Sequence, residues 1–311
     1  MAAAGMAAHL GVELARNGYA KYGPELRALH KTLHAFCKPK GTLCLSCTLE
    51  LELSYMRLRE TKPHVIWEIS PASGFSTQVI LHALAANANN ATLHSFDVLD
   101  GALHHPLSPS KNPTLAPLWS FHRGDAKGLV AADGTLDPTH PPPDYLFLDS
   151  KHNEAMATFY TTQLLPAVQR IGHTYVSLHD VYNPLFWYDG GGLKRDLINF
   201  PEWMPNLEGA MVLDWLSYSF QSNSCQLFTI APSKVGNRPF HEAVLKARES
   251  LAGLARDELV DKLEGKCPEP TIYFELNCSA PVVRSMTMSS VRHGARKNDG
   301  QEHDRSHDRS P

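Results

Sequence analysis

The chain has 311 residues, and 43% of them are hydrophobic, which is enough to bury a core of ordinary size in one main domain. Its formal charge of −3 and its scattered lysines and arginines leave no basic stripe, so a nucleic-acid partner is not expected. No apolar run reaches the roughly 20 residues that span a bilayer, which predicts a soluble, cytoplasmic protein without a membrane partner. The Ala-rich opening is also compatible with an organelle transit peptide.

Residues 1–60 are predicted to form an N-terminal helical segment, because apolar residues recur there every three or four positions, with a break at CKPKGT. Beside the break stand a histidine and three cysteines, namely His34, Cys37, Cys44 and Cys47. They leave two interpretations open, a structural zinc site or small apolar residues near a helix. One CxxC without a second pair is a weak signal for zinc.

Residues 61–233 are predicted to form the core domain, in which short apolar runs rich in β-branched residues alternate with helical stretches. The strand-like runs are HVIWEIS, ATLHSFDVLD, LWSFHRGD, DYLFLDS and HTYVSLHDV. Their alternation with helices predicts a doubly wound α/β fold around a mostly parallel sheet. Two later runs, AMVLDWLSYSF and SCQLFTIAP, predict an antiparallel hairpin at one edge of this sheet.

Two further segments follow the core domain. Residues 234–288 are predicted to form a C-terminal helical extension, because FHEAVLKARESLAGLARDELVDKLEGK has apolar positions at helical spacing. Residues 289–311 are charged and almost without apolar side chains, so they cannot offset the entropy of ordering. This last segment is predicted to be a disordered tail.

The turn between the first strand and the helix after it, in WEISPASGFST, is the first candidate for a binding site. In doubly wound folds, ligands bind outside the carboxyl ends of the strands, where the strand order reverses. Ser70, Ala72 and Gly74 form a series of small residues that lets the backbone approach a ligand closely. Ser76 is placed to cap the helix or to bind the ligand.

An acid at the end of the second strand, Asp97, is placed to accept both hydroxyls of a ribose, which indicates a nucleoside-bearing cofactor. Nicotinamide dinucleotides and S-adenosylmethionine share this feature. A dinucleotide needs a GxGxxG turn against its pyrophosphate, and this turn has one glycine. The turn is preceded instead by Glu68, an acid that suits a cofactor carrying cationic groups, so the residues favour S-adenosylmethionine.

The turn with Glu68, the acid Asp97, GDA at 124–126, FLDSKH and LHD together resemble a class I S-adenosylmethionine-dependent methyltransferase. The likeness is closer to the small-molecule O-methyltransferases related to the macrocin and cephalosporin-pathway enzymes, and more distant to catechol O-methyltransferase. Ser70 and Ala72 stand where those families have glycines. The resemblance implies that Asp97 holds the ribose and that Asp125 lies near the adenine. The predicted cofactor-binding residues are Glu68, Ser70, Ala72, Gly74, Ser76, Asp97, Asp125 and Asp149.

Asp149 follows the fourth strand and Asp180 the fifth, so both should emerge at one edge of a parallel sheet and could bind a hard divalent cation. The resemblance implies metal ligands at Asp149, His179 and Asp180. An imidazole at His179, where a carboxylate is common, shifts the preference from Mg²⁺ toward ions such as Mn²⁺. The resemblance also implies that His152 is the general base, and an imidazole suits that role at neutral pH. Acids at strand ends also cap helices, so structural roles stay open.

These observations predict a metal-assisted, S-adenosylmethionine-dependent O-methyltransferase that acts on a small hydroxylated molecule or a glycan. The alternative is a non-catalytic binding protein that has kept the fold. A nicotinamide-dependent reductase fits less well, because no pyrophosphate turn or proton donor for hydride transfer stands out. The sequence also leaves room for a homo-oligomer.

Overall fold

The structure is a computed structural model that describes residues 2–37, 48–151, 153–179, 211–212, 215, 224–229, 238–254 and 271–277. The strands are β1 (Val65–Ile69), β2 (Thr92–Asp97), β3 (Trp119–Arg123), β4 (Tyr145–Leu148), β5 (Thr174–Leu178), β6 (Ser224–Thr229) and β7 (Ile272–Leu276). The helices are α1 (Ala2–Phe36), α2 (Thr48–Thr61), α3 (Phe75–Asn87), α4 (Gly101–His104), α5 (Glu154–Phe159), α6 (Leu165–Gln169) and α7 (Arg238–Ala252). A π-helical segment, Tyr160–Leu164, joins α5 to α6.

The strands form one seven-stranded sheet in the order β3-β2-β1-β4-β5-β7-β6. The pairs among β1 to β5 are parallel, whereas β7 runs antiparallel to both β5 and β6. This confirms the predicted doubly wound, mostly parallel α/β fold with an antiparallel pair at one edge. The strand order reverses between β1 and β4, so the carboxyl end of β1 lies where such folds bind ligands.

The antiparallel pair is built from other residues than the sequence suggested. The run SCQLFTIAP does supply β6, but Met211, Val212 and Trp215 of the run AMVLDWLSYSF are helical. The partner of β6 is β7, which comes from the stretch 234–288 that was predicted to be a helical extension. That expectation was wrong because α7 gives the stretch its helical periodicity and the short strand follows it. The predicted domain boundaries otherwise stay predictions.

The two faces of the sheet are covered by separate hydrophobic clusters. One cluster packs α1, α2, α3 and α7 against side chains such as Ile66 and Phe147. The other packs α5, the π-helical segment and α6 against side chains such as Trp67 and Leu146. Successive residues of β1 and β4 therefore point into opposite clusters, which explains why these strands read as continuous apolar runs.

A buried ion pair fixes α2 against α7. The Nε of Arg248 lies 3.0 and 2.9 Å from the two carboxylate oxygens of Glu52, and the Tyr19 hydroxyl of α1 donates to the same carboxylate at 2.8 Å. Because a buried charge must be paired, these contacts determine how α2 sits on the sheet. They thereby place Glu50, two residues earlier on α2.

Two further observations concern the zinc interpretation of the N-terminal cysteines and the possibility of a membrane-spanning helix. Cys37 is disulfide-bonded, so its sulfur is not available as a zinc ligand. None of the helices in the described ranges is both long enough and apolar enough to cross a bilayer.

Candidate functional site

The turn after β1 has the left-handed backbone conformation that its small residues suggested. Ser70 has φ 66°, Ala72 φ 51° and Gly74 φ 87°. Left-handed residues other than glycine cost on the order of 1 kcal/mol each, so the turn is held there by its surroundings. The backbone N–H of Ser70 donates to the carbonyl of Phe96 at 2.8 Å, and that of Gly74 donates to the carbonyl of Pro71 at 2.7 Å.

Glu68, on β1, is hydrogen-bonded to the residues that follow the turn. Its carboxylate is fully buried and accepts hydrogen bonds from the hydroxyls of Ser76, Thr77 and Ser95 at 2.7, 2.8 and 2.6 Å. Burial raises the pKa of Glu68 to about 7, although the three hydroxyl donors oppose this rise. The Ser76 hydroxyl therefore bonds Glu68, and the helix cap at Gly74 has no side-chain hydrogen bond. Cofactor contacts by Glu68 and Ser76 stay predictions.

Asp97, at the end of β2, also binds the backbone of the turn. One of its carboxylate oxygens accepts from the backbone N–H of Ala72 at 3.0 Å, and the other accepts from that of Leu99 at 2.9 Å. An ionised carboxylate has roughly four acceptor positions, so about two remain for the two hydroxyls of a ribose. The start of α4 packs closely against this turn, because a Cβ on Gly101 would lie 2.7 Å from the carbonyl oxygen of Ala72. The geometry therefore fits the predicted role of Asp97.

Two apolar residues that the sequence analysis overlooked stand beside this acid. Val98 and Leu99 directly follow Asp97, and their exposed fractions are 59% and 65%. Large apolar side chains exposed at the ligand-binding edge of a sheet suit the flat face of a nucleobase. The signal was present in the sequence as two consecutive apolar residues after the proposed ribose acid.

Asp125 is exposed at the start of a 3₁₀ turn, Ala126–Leu129, where its carboxylate accepts from the backbone N–H of Lys127 at 3.0 Å. The preceding residue, Gly124, donates its N–H to the carbonyl of Asp97 at 2.9 Å. An open cavity of about 580 Å³ lies alongside, between Lys127 and the start of α5. The residue before Asp125 is thus hydrogen-bonded through the backbone to Asp97, and the contact of Asp125 with adenine stays a prediction.

Asp149 and His179 meet at the carboxyl ends of β4 and β5, as predicted. Oδ1 of Asp149 lies 3.5 Å from Nδ1 of His179, and the backbone N–H of Asp149 donates to the carbonyl of Ile69 at 3.3 Å. The structure adds an acid that the sequence analysis missed, because Oε2 of Glu50 lies 3.1 Å from Nε2 of His179. His179 and Glu50 are buried, whereas the Asp149 side chain is 25% exposed. The three side chains thus form a line from the helical layer to the cofactor edge.

This line fits a divalent metal ion in its donor types. A carboxylate that accepts from one ring nitrogen of a histidine orients the other nitrogen toward a metal, and Glu50 is placed to do this for His179. The Nδ1 of His179 and Oδ1 of Asp149 face each other at a separation that adjacent ligands of one ion could share. The remaining predicted ligand, Asp180, and the predicted base, His152, lie outside the described residues.

Comparison with known proteins gives one family match and several distant structural likenesses. Residues 68–181 match a family model described as a methyltransferase domain. No curated protein sequence matches the chain. A solved O-methyltransferase from Bacillus cereus in complex with SAH has 10% identity and a TM-score of 0.46, covering 81% of this chain and 90% of that one.

Two other solved structures show similar values. A putative O-methyltransferase from Klebsiella pneumoniae has 16% identity and a TM-score of 0.38, with 67% of this chain and 82% of that chain covered. An SAH-bound methyltransferase from Podospora anserina has 14% identity and a TM-score of 0.39, with 83% and 86% covered. Residues 68–181 therefore match a methyltransferase domain, and the distant likenesses add nothing to that match.

Proposed function

We propose that this protein is an O-methyltransferase that moves the methyl group of S-adenosylmethionine to a hydroxyl of a small molecule or a glycan, with help from a divalent metal ion. The observation that carries the proposal is the line of Asp149, His179 and Glu50 beside the cofactor turn. It places ionisable oxygen and nitrogen atoms at the edge where the methyl group would be presented. The acceptor class stays a proposal of the sequence analysis.

The cofactor half of the proposal depends on Asp97 and the two residues that follow it. The two free acceptor positions of Asp97 would hold the ribose hydroxyls, while Val98 and Leu99 offer apolar surface to the adenine. Asp125 would contact the far side of the base. Because Glu68 and Asp97 fix the turn before any ligand binds, the site costs little reorganisation.

The acceptor half depends on removing a proton from a hydroxyl. An oxygen attacks a sulfonium methyl group well only when it is largely deprotonated and in line with the S–C bond. His152 is proposed to take this proton, while Asp149 orients the hydroxyl. A Mg²⁺ or Mn²⁺ ion held by Asp149, His179 and Asp180 would lower the pKa of the hydroxyl. Glu50 would keep the ring of His179 in place.

The proposal can be tested with radiolabelled S-adenosylmethionine and a panel of catechols, phenols and sugars, before and after treatment with a chelator. Asp149→Asn should lower the transfer rate by roughly 10²-fold or more. Asp133→Asn is the matched control, since Asp133 is an exposed acid whose carboxylate accepts hydrogen bonds from Thr135 in its own loop. An unchanged rate in Asp149→Asn would contradict the proposal. Cofactor binding without transfer to any acceptor would favour the non-catalytic alternative.

A further inference from the structure

Three histidines meet on the face of the sheet that lies opposite α3. His94 belongs to β2, His122 to β3, and His140 to the loop before β4. Each can offer one ring nitrogen such that all three nitrogens lie within 4.8 Å of one another. We propose that His94, His122 and His140 form a binding site for a divalent transition-metal ion, Zn²⁺, that is separate from the methyl-transfer site.

The distance between the first two nitrogens already suits a shared ion. Nδ1 of His94 lies 3.1 Å from Nε2 of His122. Two imidazoles bound to Zn²⁺ at about 2.0–2.1 Å in a tetrahedral arrangement have their nitrogens about 3.3 Å apart. The register of the parallel strands fixes the relative positions of these two side chains. His94 of β2 pairs with Ser120 of β3, and His122 lies two residues further along β3, opposite Phe96. Only His140 must approach by a short distance to complete the set.

The protonation states favour metal binding at neutral pH. The pKa of His94 is lowered to about 4, mainly by burial and to a smaller extent by the neighbouring rings of His122 and His140. Burial likewise lowers the pKa of His122. A neutral imidazole binds a metal ion through its unprotonated nitrogen, so neither His94 nor His122 has to lose a net proton at pH 7, and only the ring that donates the hydrogen bond between them must change its tautomer.

The surroundings provide outer support for the ligands. The Thr92 hydroxyl lies 3.4 Å from Nε2 of His94, the nitrogen that does not contact His122, and Oδ2 of Asp137 lies 3.9 Å from Nε2 of His140, which is beyond hydrogen-bond distance. Carboxylates and hydroxyls beside the second ring nitrogen orient metal-binding histidines. All three histidines are partly exposed, so an ion can reach them from solvent, and three ligands leave a fourth position for water.

The competing interpretation is that the rings merely pack together. Phe96 and His122 do stack, with ring centroids 4.8 Å apart, and so do His94 and His122, with centroids 5.3 Å apart. His140 meets His122 edge-on, at an interplanar angle of 71°, which is also a common packing geometry for rings. Within the described ranges, no other three side chains of His, Cys, Asp or Glu bring their ligand atoms this close together. The convergence of nitrogens, rather than the stacking, is what a metal site requires.

The test is a titration of the full chain, stripped with a chelator, with Co²⁺ followed by Zn²⁺, recorded by visible absorption. Four-coordinate Co²⁺ absorbs far more strongly than hydrated Co²⁺. The unaltered protein should bind one equivalent in this form and release it to Zn²⁺. His122→Gln and His140→Gln should each weaken Co²⁺ binding by roughly 10²-fold or more.

Controls separate this site from other histidines and from the methyl-transfer site. His104→Gln should bind like the unaltered protein, since the His104 side chain is 75% exposed and lies outside the cluster. Asp149→Asn should also retain the tetrahedral spectrum. Thermal unfolding without metal checks that His122→Gln is folded, and His140→Gln, which changes a loop residue, provides a second variant. A missing spectrum in the unaltered protein, or the same spectrum in both cluster variants, would overturn the proposal.

Discussion

Strand β2 carries polar side chains on both faces, and the two faces satisfy them in opposite ways. On one face Ser95 donates to the buried carboxylate of Glu68, and the indole N–H of Trp119 donates to the Ser95 hydroxyl at 2.9 Å. On the other face His94 and its neighbouring histidines are partly exposed and hold one another. The first set is enclosed by protein donors, and the second remains open to solvent.

The difference indicates which polar groups support the fold and which can bind a ligand. A buried acid with three hydroxyl donors has little capacity left, so Glu68 fixes the turn that is proposed to contact the cofactor. Burial lowers the pKa of the partly exposed His94 and His122, and each neutral imidazole offers one nitrogen lone pair that a metal ion can use. We therefore expect substitutions at Glu68 to change stability and substitutions at His94 to change ligand binding.

The largest effect is expected from Glu68→Ala. The change leaves the hydroxyls of Ser76, Thr77 and Ser95 without their acceptor in a buried site and also opens a cavity. The free energy of unfolding should fall by about 3–5 kcal/mol. Urea unfolding followed by circular dichroism measures this. Glu68→Gln, which keeps the volume and one acceptor oxygen, should lose clearly less, and equal losses would show that the hydroxyls find other partners.

The two faces should also differ in how stability depends on pH. The pKa of Glu68 is raised from 4.5 to about 7, so the unfolded chain loses this proton first as the pH rises. Stability from this group is therefore lost between about pH 4.5 and 7, by about 3 kcal/mol in total. Unfolding measured across this range should show that loss in the unaltered protein relative to Glu68→Gln. Parallel pH profiles of the two proteins would contradict the assignment.

A smaller effect is expected at the contact between α4 and the turn. In Gly101→Ala the new Cβ would lie 2.7 Å from the carbonyl oxygen of Ala72, so the backbone of the turn must shift. Stability should fall by about 1–3 kcal/mol, and affinity for S-adenosylhomocysteine should fall with it. Gly128→Ala is the matched control, because a Cβ there would meet nothing within 4 Å. Equal behaviour of the two variants would show that the turn tolerates the displacement.

The smallest effect on stability is expected from His94→Gln, about 1 kcal/mol or less at pH 7, because the ring is partly exposed. Its pH dependence should have the opposite sign to that of Glu68. The pKa of His94 is lowered from 6.5 to about 4, so its contribution is present above about pH 6.5 and is lost on acidification toward pH 4. Histidine NMR signals titrated over this range measure the pKa directly. A His94 midpoint near 6.5 would remove this contrast.

Local patterns in the sequence predicted one part of the site well. The turn with Ser70, Ala72 and Gly74 could be predicted because small residues between a strand and a helix act within a few positions of one another. Asp97 could be placed at the end of β2 because the apolar run of that strand stops there. The placement of Asp149 at the carboxyl edge of the sheet followed from parallel strands sharing that edge, whereas His179 was implied by the family resemblance.

Contacts that join distant parts of the chain could not be predicted in this way. Glu50 reaches His179 because tertiary packing, including the buried ion pair with α7, positions α2, and no local pattern encodes that contact. His94, His122 and His140 are far apart in sequence and lack the short spacing of common metal motifs. Strand β7 was overlooked because its five residues follow a long helical pattern.

The most direct test of the account is a calorimetric titration of S-adenosylhomocysteine into the unaltered protein and into Asp97→Ala, with Asp133→Ala as the control. The unaltered protein and the control should bind one equivalent with micromolar affinity, and Asp97→Ala should bind at least about 10²-fold more weakly. Thermal unfolding of the free proteins checks that Asp97→Ala is folded. If the unaltered protein does not bind, or if Asp97→Ala binds equally well, the cofactor site is not where the account places it.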